Sequence, residues 1–168
     1  MRPARVFLVG FAGAGKSTYG RRWARKLGVS FWDTDAWITA CTGRSPAAWI
    51  QQEGEMAFRA VEREAVAKIL WQAPPAIVAL GGGTLTIPGV PQQLRAAGWL
   101  VWIDPPWPWL LHRLRKQPRP LLQGRPETEW HQLWLSRRPL YRLSDLHWPP
   151  HHLPEKILLL WLQRSLAR

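Results

Sequence analysis

The sequence predicts an α/β layered domain on a mainly parallel sheet. Three observations carry that prediction: apolar runs of strand length, helical apolar periodicity between them, and a glycine-rich turn after the first run. Val6-Phe7-Leu8-Val9 is the first strand. Tyr19, Trp23 and Leu27 follow at a spacing of four, with Gly28 as a helix stop, so this stretch reads strand, loop, helix. Ser30-Phe31-Trp32 is a brief extended piece, and the helical region after it is interrupted at Pro46. The longest helix is expected over about Glu55 to Leu70. There Phe58, Val61, Ala65 and Ile69 form one apolar stripe, and Arg59, Glu62 and Arg63 occupy the polar face.

Ala76-Ile77-Val78-Ala79-Leu80, bounded by Pro75 and Gly81, is a continuous apolar run, as a strand buried on both faces requires. Trp99 to Ile103 repeats the pattern and ends at Asp104. A weaker fifth strand is expected near Leu146 to Trp148, and a last helix from about Pro154 to Leu166. Between Lys116 and Pro126 the chain is rich in arginine, proline and glycine, which reads as a mobile loop whose Arg119 and Arg125 could serve a phosphate-facing lid.

At 168 residues the chain is expected to form one domain. It is 46% hydrophobic and 20% charged, a globular composition that argues against disorder, and no apolar run reaches the roughly 20 residues of a membrane helix. The balance of 23 basic against 11 acidic residues, +12 in all, predicts anionic partners without choosing among them. A lone cysteine, Cys41, excludes an internal disulfide and reads as a packing residue in a reducing compartment. Structured sequence from about Val6 leaves no room for a targeting peptide, so a cytoplasmic protein is expected. The thirteen tryptophans have no fixed period and no mechanistic reading from sequence.

Gly10-Phe11-Ala12-Gly13-Ala14-Gly15-Lys16-Ser17 matches G-x-x-x-x-G-K-[ST] between an apolar strand and a helix, the context the motif requires. Its amides and the helix N-terminus make an anion nest for phosphates; Lys16 would reach the β and γ oxygens, and Ser17 would offer a hydroxyl to Mg²⁺. Gly13, Ala14, Gly15, Lys16, Ser17 and Thr18 are thus candidate nucleotide contacts. The chain contains no asparagine, so the guanine-reading N-K-x-D is absent and ATP is the expected nucleotide.

Asp33 and Asp35 follow the second strand two residues apart. In extended geometry both would project from one face, one orienting a water on Mg²⁺ and the other accepting a proton from a substrate hydroxyl; the competing reading is a helix cap. Gly81-Gly82-Gly83 directly follows the third strand, where a ligand can approach the backbone closely. His147, His151 and His152 lack a nearby thiolate or carboxylate cluster and read as surface histidines.

The run from Gly10 to Lys16, Asp33-Thr34-Asp35, Gly54-Glu55 with Phe58-Arg59 and Glu62, Gly81 to Gly83, Arg119-Pro120-Leu121-Leu122 and Arg137-Arg138-Pro139-Leu140-Tyr141 together resemble the shikimate kinase family, over about residues 5 to 142. The resemblance implies a three-layer α/β/α P-loop kinase fold with a five-stranded parallel sheet and a mobile lid at about 112–126, in one domain spanning 1–168. It also implies transfer of the ATP γ-phosphoryl to the 3-hydroxyl of shikimate by a monomer, with no nucleic acid or membrane as partner. Carried over by motif, Asp35 would contact the ring hydroxyls and Asp33 would hold Mg²⁺ through water. Arg59 and Arg137 would grip the substrate carboxylate, Gly82 would make a backbone contact, and Arg119 would close on the phosphates. Arginine's planar fork suits a carboxylate better than lysine, and Asp35 is a plausible base. Arg138 competes with Arg137, because one residue of helix turns the side chain by about 100°. For Arg59 the competing role is a surface ion pair with Glu62 or Glu55.

The chain departs from the family pattern at Thr39, where glutamate is common, and at Ser45-Pro46. Beyond about Leu143 the resemblance fades, leaving Arg113 to stack on the adenine from the lid's edge. Two alternatives stand beside this reading. One is another small-molecule kinase of the same fold, acting on gluconate or a nucleoside monophosphate. The other is a basic, non-catalytic nucleotide or nucleic-acid binder that retains the loop.

Overall fold

The computed structural model describes residues 3–117 and 119–167. Five strands, β1 (Arg5–Val9), β2 (Ser30–Asp33), β3 (Ala76–Ala79), β4 (Trp99–Ile103) and β5 (Leu146–Trp148), form one parallel sheet in the order β2-β3-β1-β4-β5. The all-apolar runs occupy the middle, where both faces are covered, and every residue of β1 and β3 is buried. Helices α1 (Lys16–Leu27), α2 (Thr34–Thr42), α3 (Pro46–Leu70), α4 (Val90–Ala97), α5 (Trp107–Lys116), α6 (Glu127–Tyr141) and α7 (Glu155–Leu166) flank it. Short 3₁₀ turns lie at Thr84–Thr86 and Pro120–Leu122.

The parallel order puts the C-terminal ends of β1, β2 and β3 side by side. Chain order switches direction between β1 and its neighbours, the position where open α/β sheets take ligands. Gly28 ends α1 in the left-handed conformation (φ 66°), its N–H bonded to Ala24 O, as the sequence predicts.

Helix α3 differs from its sequence reading. It begins at Pro46, with the Ser45 hydroxyl capping the Ala48 N–H, and kinks at Gly54, whose φ of 87° leaves helical space. Pro46 therefore starts a helix, because its fixed φ suits the first turn and it lacks only an N–H that would be unpaired there. Glu62, expected on the polar face, is fully buried. It takes the place in the apolar stripe between Phe58 and Ala65 that Val61, only partly buried, was expected to fill. Cys41 is exposed rather than packed, because α2 turns its final residues to solvent.

Helices α4 and α5 were not read from the sequence. Each is short, and proline in its first turn looks like a break until it is recognised as a start. Part of the stretch expected as a mobile lid, about 112–126, is regular structure. Residues 112–116 continue α5, Leu122 is buried, and Trp130 Nε1–H donates to Leu122 O at 2.9 Å. Several tryptophans gain a role from packing. Trp23 and Trp148 are fully buried against Tyr19, with Trp23 Nε1–H donating to Glu155 Oε1 at 2.8 Å, and Trp99 packs edge-on against Trp161. Among the described residues no helix is long and apolar enough to cross a membrane.

Candidate active site

The loop between β1 and α1 turns back on itself, with Gly13 and Gly15 at φ 80° and 96°, conformations a side chain would resist. Gly15 thereby caps α1, and Lys16 begins it. Lys16 is buried, its Nζ donating to Gly10 O at 2.8 Å and Phe11 O at 3.0 Å. Burial pushes this ammonium down to about 8, against the nearby Asp35, which favours its charged form. Gly13, Gly15, Lys16, Ser17 and Thr18 line a cavity of about 110 Å³ together with Asp33, Asp35, Arg113 and Arg119. Ala14 is buried beneath the loop, and its N–H already donates to Phe11 O at 3.1 Å.

The two aspartates do not share an extended strand. β2 ends at Asp33, whose Oδ1 accepts from the N–H groups of Asp35 (3.0 Å) and Ala36 (3.2 Å) and so caps α2. Asp35 lies in the first helical turn. The cap leaves both carboxylates facing the loop cavity. Asp35 is exposed along the open cleft yet crowded by protein on its other sides. That desolvation, with Asp33 and Glu62 adding repulsion, pushes its carboxyl up to about 6.

A second cavity of about 340 Å³, within the range of small-molecule sites, adjoins the first. Asp35, Gly81, Gly82 and Arg119 line both, and so mark their junction. Arg59, Glu62, Gly83 and Arg137 complete its polar wall. A Cβ at Gly83 would collide with the Arg59 guanidinium and one at Gly81 with Glu62, so the glycines are needed for close approach. Arg59 donates to Glu62 Oε2 and to Glu55 Oε1 (3.0 Å). These pairs coexist with its place in the cavity, and the Glu62 pair is buried rather than a surface bridge.

The consecutive arginines point to different places. Arg137 is buried at the cavity wall, beside Phe11 and Gly82. Arg138 turns away and pairs with Asp104 at 2.9 and 3.0 Å. Among the described residues Arg137 makes no salt bridge, which leaves a buried cation facing the cavity.

Three residues that hold this wall were not singled out from sequence. Thr34, fully buried, accepts from Gly81 N–H at 3.0 Å. The Thr84 hydroxyl lies between Glu62 Oε1 and Gly81 O. Tyr141 O–H donates to Gly82 O, and burial pushes the phenol up to about 12, which keeps it a donor. None of the three has a local signature, whereas Glu62, read on the polar face, has one: its four-residue spacing from Phe58 puts a charge on the apolar stripe, where it must find a partner.

Beside the loop cavity, Arg113 lies 4.7 Å over the Trp109 ring, and Trp109 meets His151 at 5.8 Å between centroids. His147, His151 and His152 are all exposed, and no metal-binding cluster occurs among the described residues. Ser17 and Asp33 are hard oxygen donors on the loop cavity, with one Asp33 oxygen uncommitted to the cap. That set fits Mg²⁺, which usually keeps several waters and takes few protein ligands.

The shikimate kinase family model matches residues 12–162, extending past the point where the motif resemblance fades. A shikimate kinase of Halorhodospira halophila is 45% identical over 142 residues, 83% of this chain and 80% of that protein. One of Paramagnetospirillum magneticum is 41% identical over 143 residues, 84% and 73%. Among solved structures, shikimate kinase from Acinetobacter baumannii in complex with shikimate superposes with a TM-score of 0.86 at 32% identity, covering 98% of this chain and 96% of that one. A gluconokinase from Sinorhizobium meliloti, at 18% identity and a TM-score of 0.61 over 100% of this chain and 94% of that one, shares the fold alone.

Proposed function

This chain belongs to the shikimate kinase family, and from that premise we propose that it transfers the ATP γ-phosphoryl to the 3-hydroxyl of shikimate across the junction of its two cavities. The observation that carries the acceptor assignment is Arg137. A buried guanidinium with no carboxylate partner among the described residues is costly unless a ligand supplies one, and Arg59 stands on the same wall. Together they suit a planar carboxylate and would have little to hold on a neutral sugar.

The chemistry asked of these residues is mostly positioning and charge neutralisation. Gly13, Gly15 and Thr18 cradle the phosphates, and Lys16 exchanges its carbonyl contacts for β and γ oxygens. Asp35, at the junction, orients the acceptor hydroxyl and takes its proton; with its carboxyl near 6 it is ionised at neutral pH yet basic enough for that role. Arg119 neutralises charge on the transferring group as the 112–126 segment closes, and Arg113 flanks the base. Ser17 directly and Asp33 through water would hold Mg²⁺, which when bound neutralises triphosphate charge.

A coupled ADP-release assay with shikimate, gluconate and nucleoside monophosphates side by side tests this reading. Turnover is expected with shikimate and to vanish in Lys16→Ala. Preferential turnover of either other acceptor would replace the assignment, and ADP release from none would leave the non-catalytic binder.

A further inference from the structure

The sequence offers two consecutive arginines on α6, and the site uses only one. We propose that Arg138 is a positioning residue that sets Arg137 in the acceptor cavity, an inference that rests on Arg137 holding the substrate carboxylate.

The last turn of α6 keeps the Arg142 N–H to Arg138 O bond at 3.0 Å but lacks one backbone bond before it. Pro139 has no N–H to donate, so the helix loses a hydrogen bond immediately beside Arg137. Side chains take over the anchoring. Arg138 forms a two-pronged pair with Asp104, Nη1 to Oδ1 at 2.9 Å and Nη2 to Oδ2 at 3.0 Å. Its guanidinium also lies 4.8 Å from the Trp102 ring and 4.5 Å from that of Trp134.

Asp104 is itself fixed to the sheet. It directly follows β4, and its N–H donates to Trp148 O of β5 at 3.1 Å. His147 Nε2 lies 2.9 Å from its Oδ2. Arg138 thus fastens the proline-weakened turn to the sheet, and it does so through a planar fork that fixes orientation as well as distance. Arg137 is the adjacent residue, so freedom at position 138 becomes freedom of the substrate-facing guanidinium.

The test is steady-state kinetics on Arg138→Met, which keeps an unbranched apolar stem between the tryptophans and removes the fork. The KM for shikimate is expected to rise roughly ten-fold, since misplacement by about an ångström is costly, while the KM for ATP stays put. In an Arg137→Lys background the same change should add nothing, because the route through Arg137 is already lost. Arg138→Lys, which retains a cation but not the fork, should fall between and serves if the methionine variant folds poorly. An unchanged shikimate KM in folded Arg138→Met, an equal rise in the ATP KM, or a full effect persisting in the Arg137→Lys background would overturn the proposal. If Arg137→Lys alone leaves the shikimate KM unchanged, the carboxylate clamp fails and the positioning role with it. If only the Arg138 variants are silent, the clamp survives.

Discussion

Glu62, with no solvent exposure, accepts a hydrogen bond from Arg59 through one oxygen and from Thr84 through the other. One wall of the 340 Å³ cavity therefore rests on a carboxylate that cannot relax into water. Glu62→Gln preserves the shape but removes the charge opposing Arg59, so the shikimate KM is expected to rise about ten-fold with the ATP KM unchanged. Glu62→Ala should also lower unfolding free energy by about 3 kcal/mol, the order seen when one partner of a buried pair is removed. Denaturant midpoints and Michaelis constants of the two variants check this. Normal shikimate affinity in both would show that Glu55 suffices to hold Arg59.

The pH profile follows from Asp35 and Lys16. Asp35 must be ionised to accept a proton, and its carboxyl is raised to about 6, so kcat/KM for shikimate should fall as the pH drops through that value. Lys16 must be charged to meet phosphate, and burial lowers it to about 8, so kcat/KM for ATP should fall as the pH rises through that value. Each charge sustains the other, so the limbs report the coupled site rather than isolated groups. A flat profile from pH 5 to 9 would contradict both roles.

Replacing Asp35, the proposed base, separates chemistry from nucleotide binding. Asp35→Asn keeps the volume and the helix position but offers no site for the proton, and kcat should fall by about 10²–10⁴-fold. Asp33 still caps α2, so the fold and the loop cavity persist and ATP affinity should change little. Calorimetric ATP binding alongside turnover checks the split; an active asparagine variant would move the base elsewhere.

What the sequence made legible was whatever has a local signature. The buried strands announce themselves as apolar runs, and the phosphate loop as a motif between strand and helix. The line between Arg137 and Arg138 was not legible, because the difference is one of rotation about α6 and depends on where Asp104 and the Gly82 backbone lie in space. Thr34 and Tyr141 were hidden for a similar reason: their partners, Gly81 and Gly82, are 47 and 59 residues away. The extended geometry expected for Asp33 and Asp35 gave way to the competing cap, because Asp33 is the last residue of β2 and its carboxylate caps the helix that carries Asp35.

Gly83 offers a test of the cavity wall that leaves the backbone unstrained. Its φ of −108° suits any residue, so an added methyl group costs little in conformation. Its Cβ would meet the Arg59 guanidinium, the far end of a flexible side chain that can swing aside. Swinging aside, however, breaks the Glu62 pair and takes the fork out of the acceptor cavity. Gly83→Ala is therefore expected to lose up to about 3 kcal/mol of stability, because Glu62 stays buried without its cation, while its shikimate KM rises at least about ten-fold and its ATP KM holds. The dissociation of shikimate affinity from ATP affinity is the diagnostic result. A variant that bound shikimate normally would mean that Arg59 contributes nothing in this pose, whereas one that lost ATP affinity equally would mean that the methyl group disturbs the shared junction at Gly82 rather than the arginine.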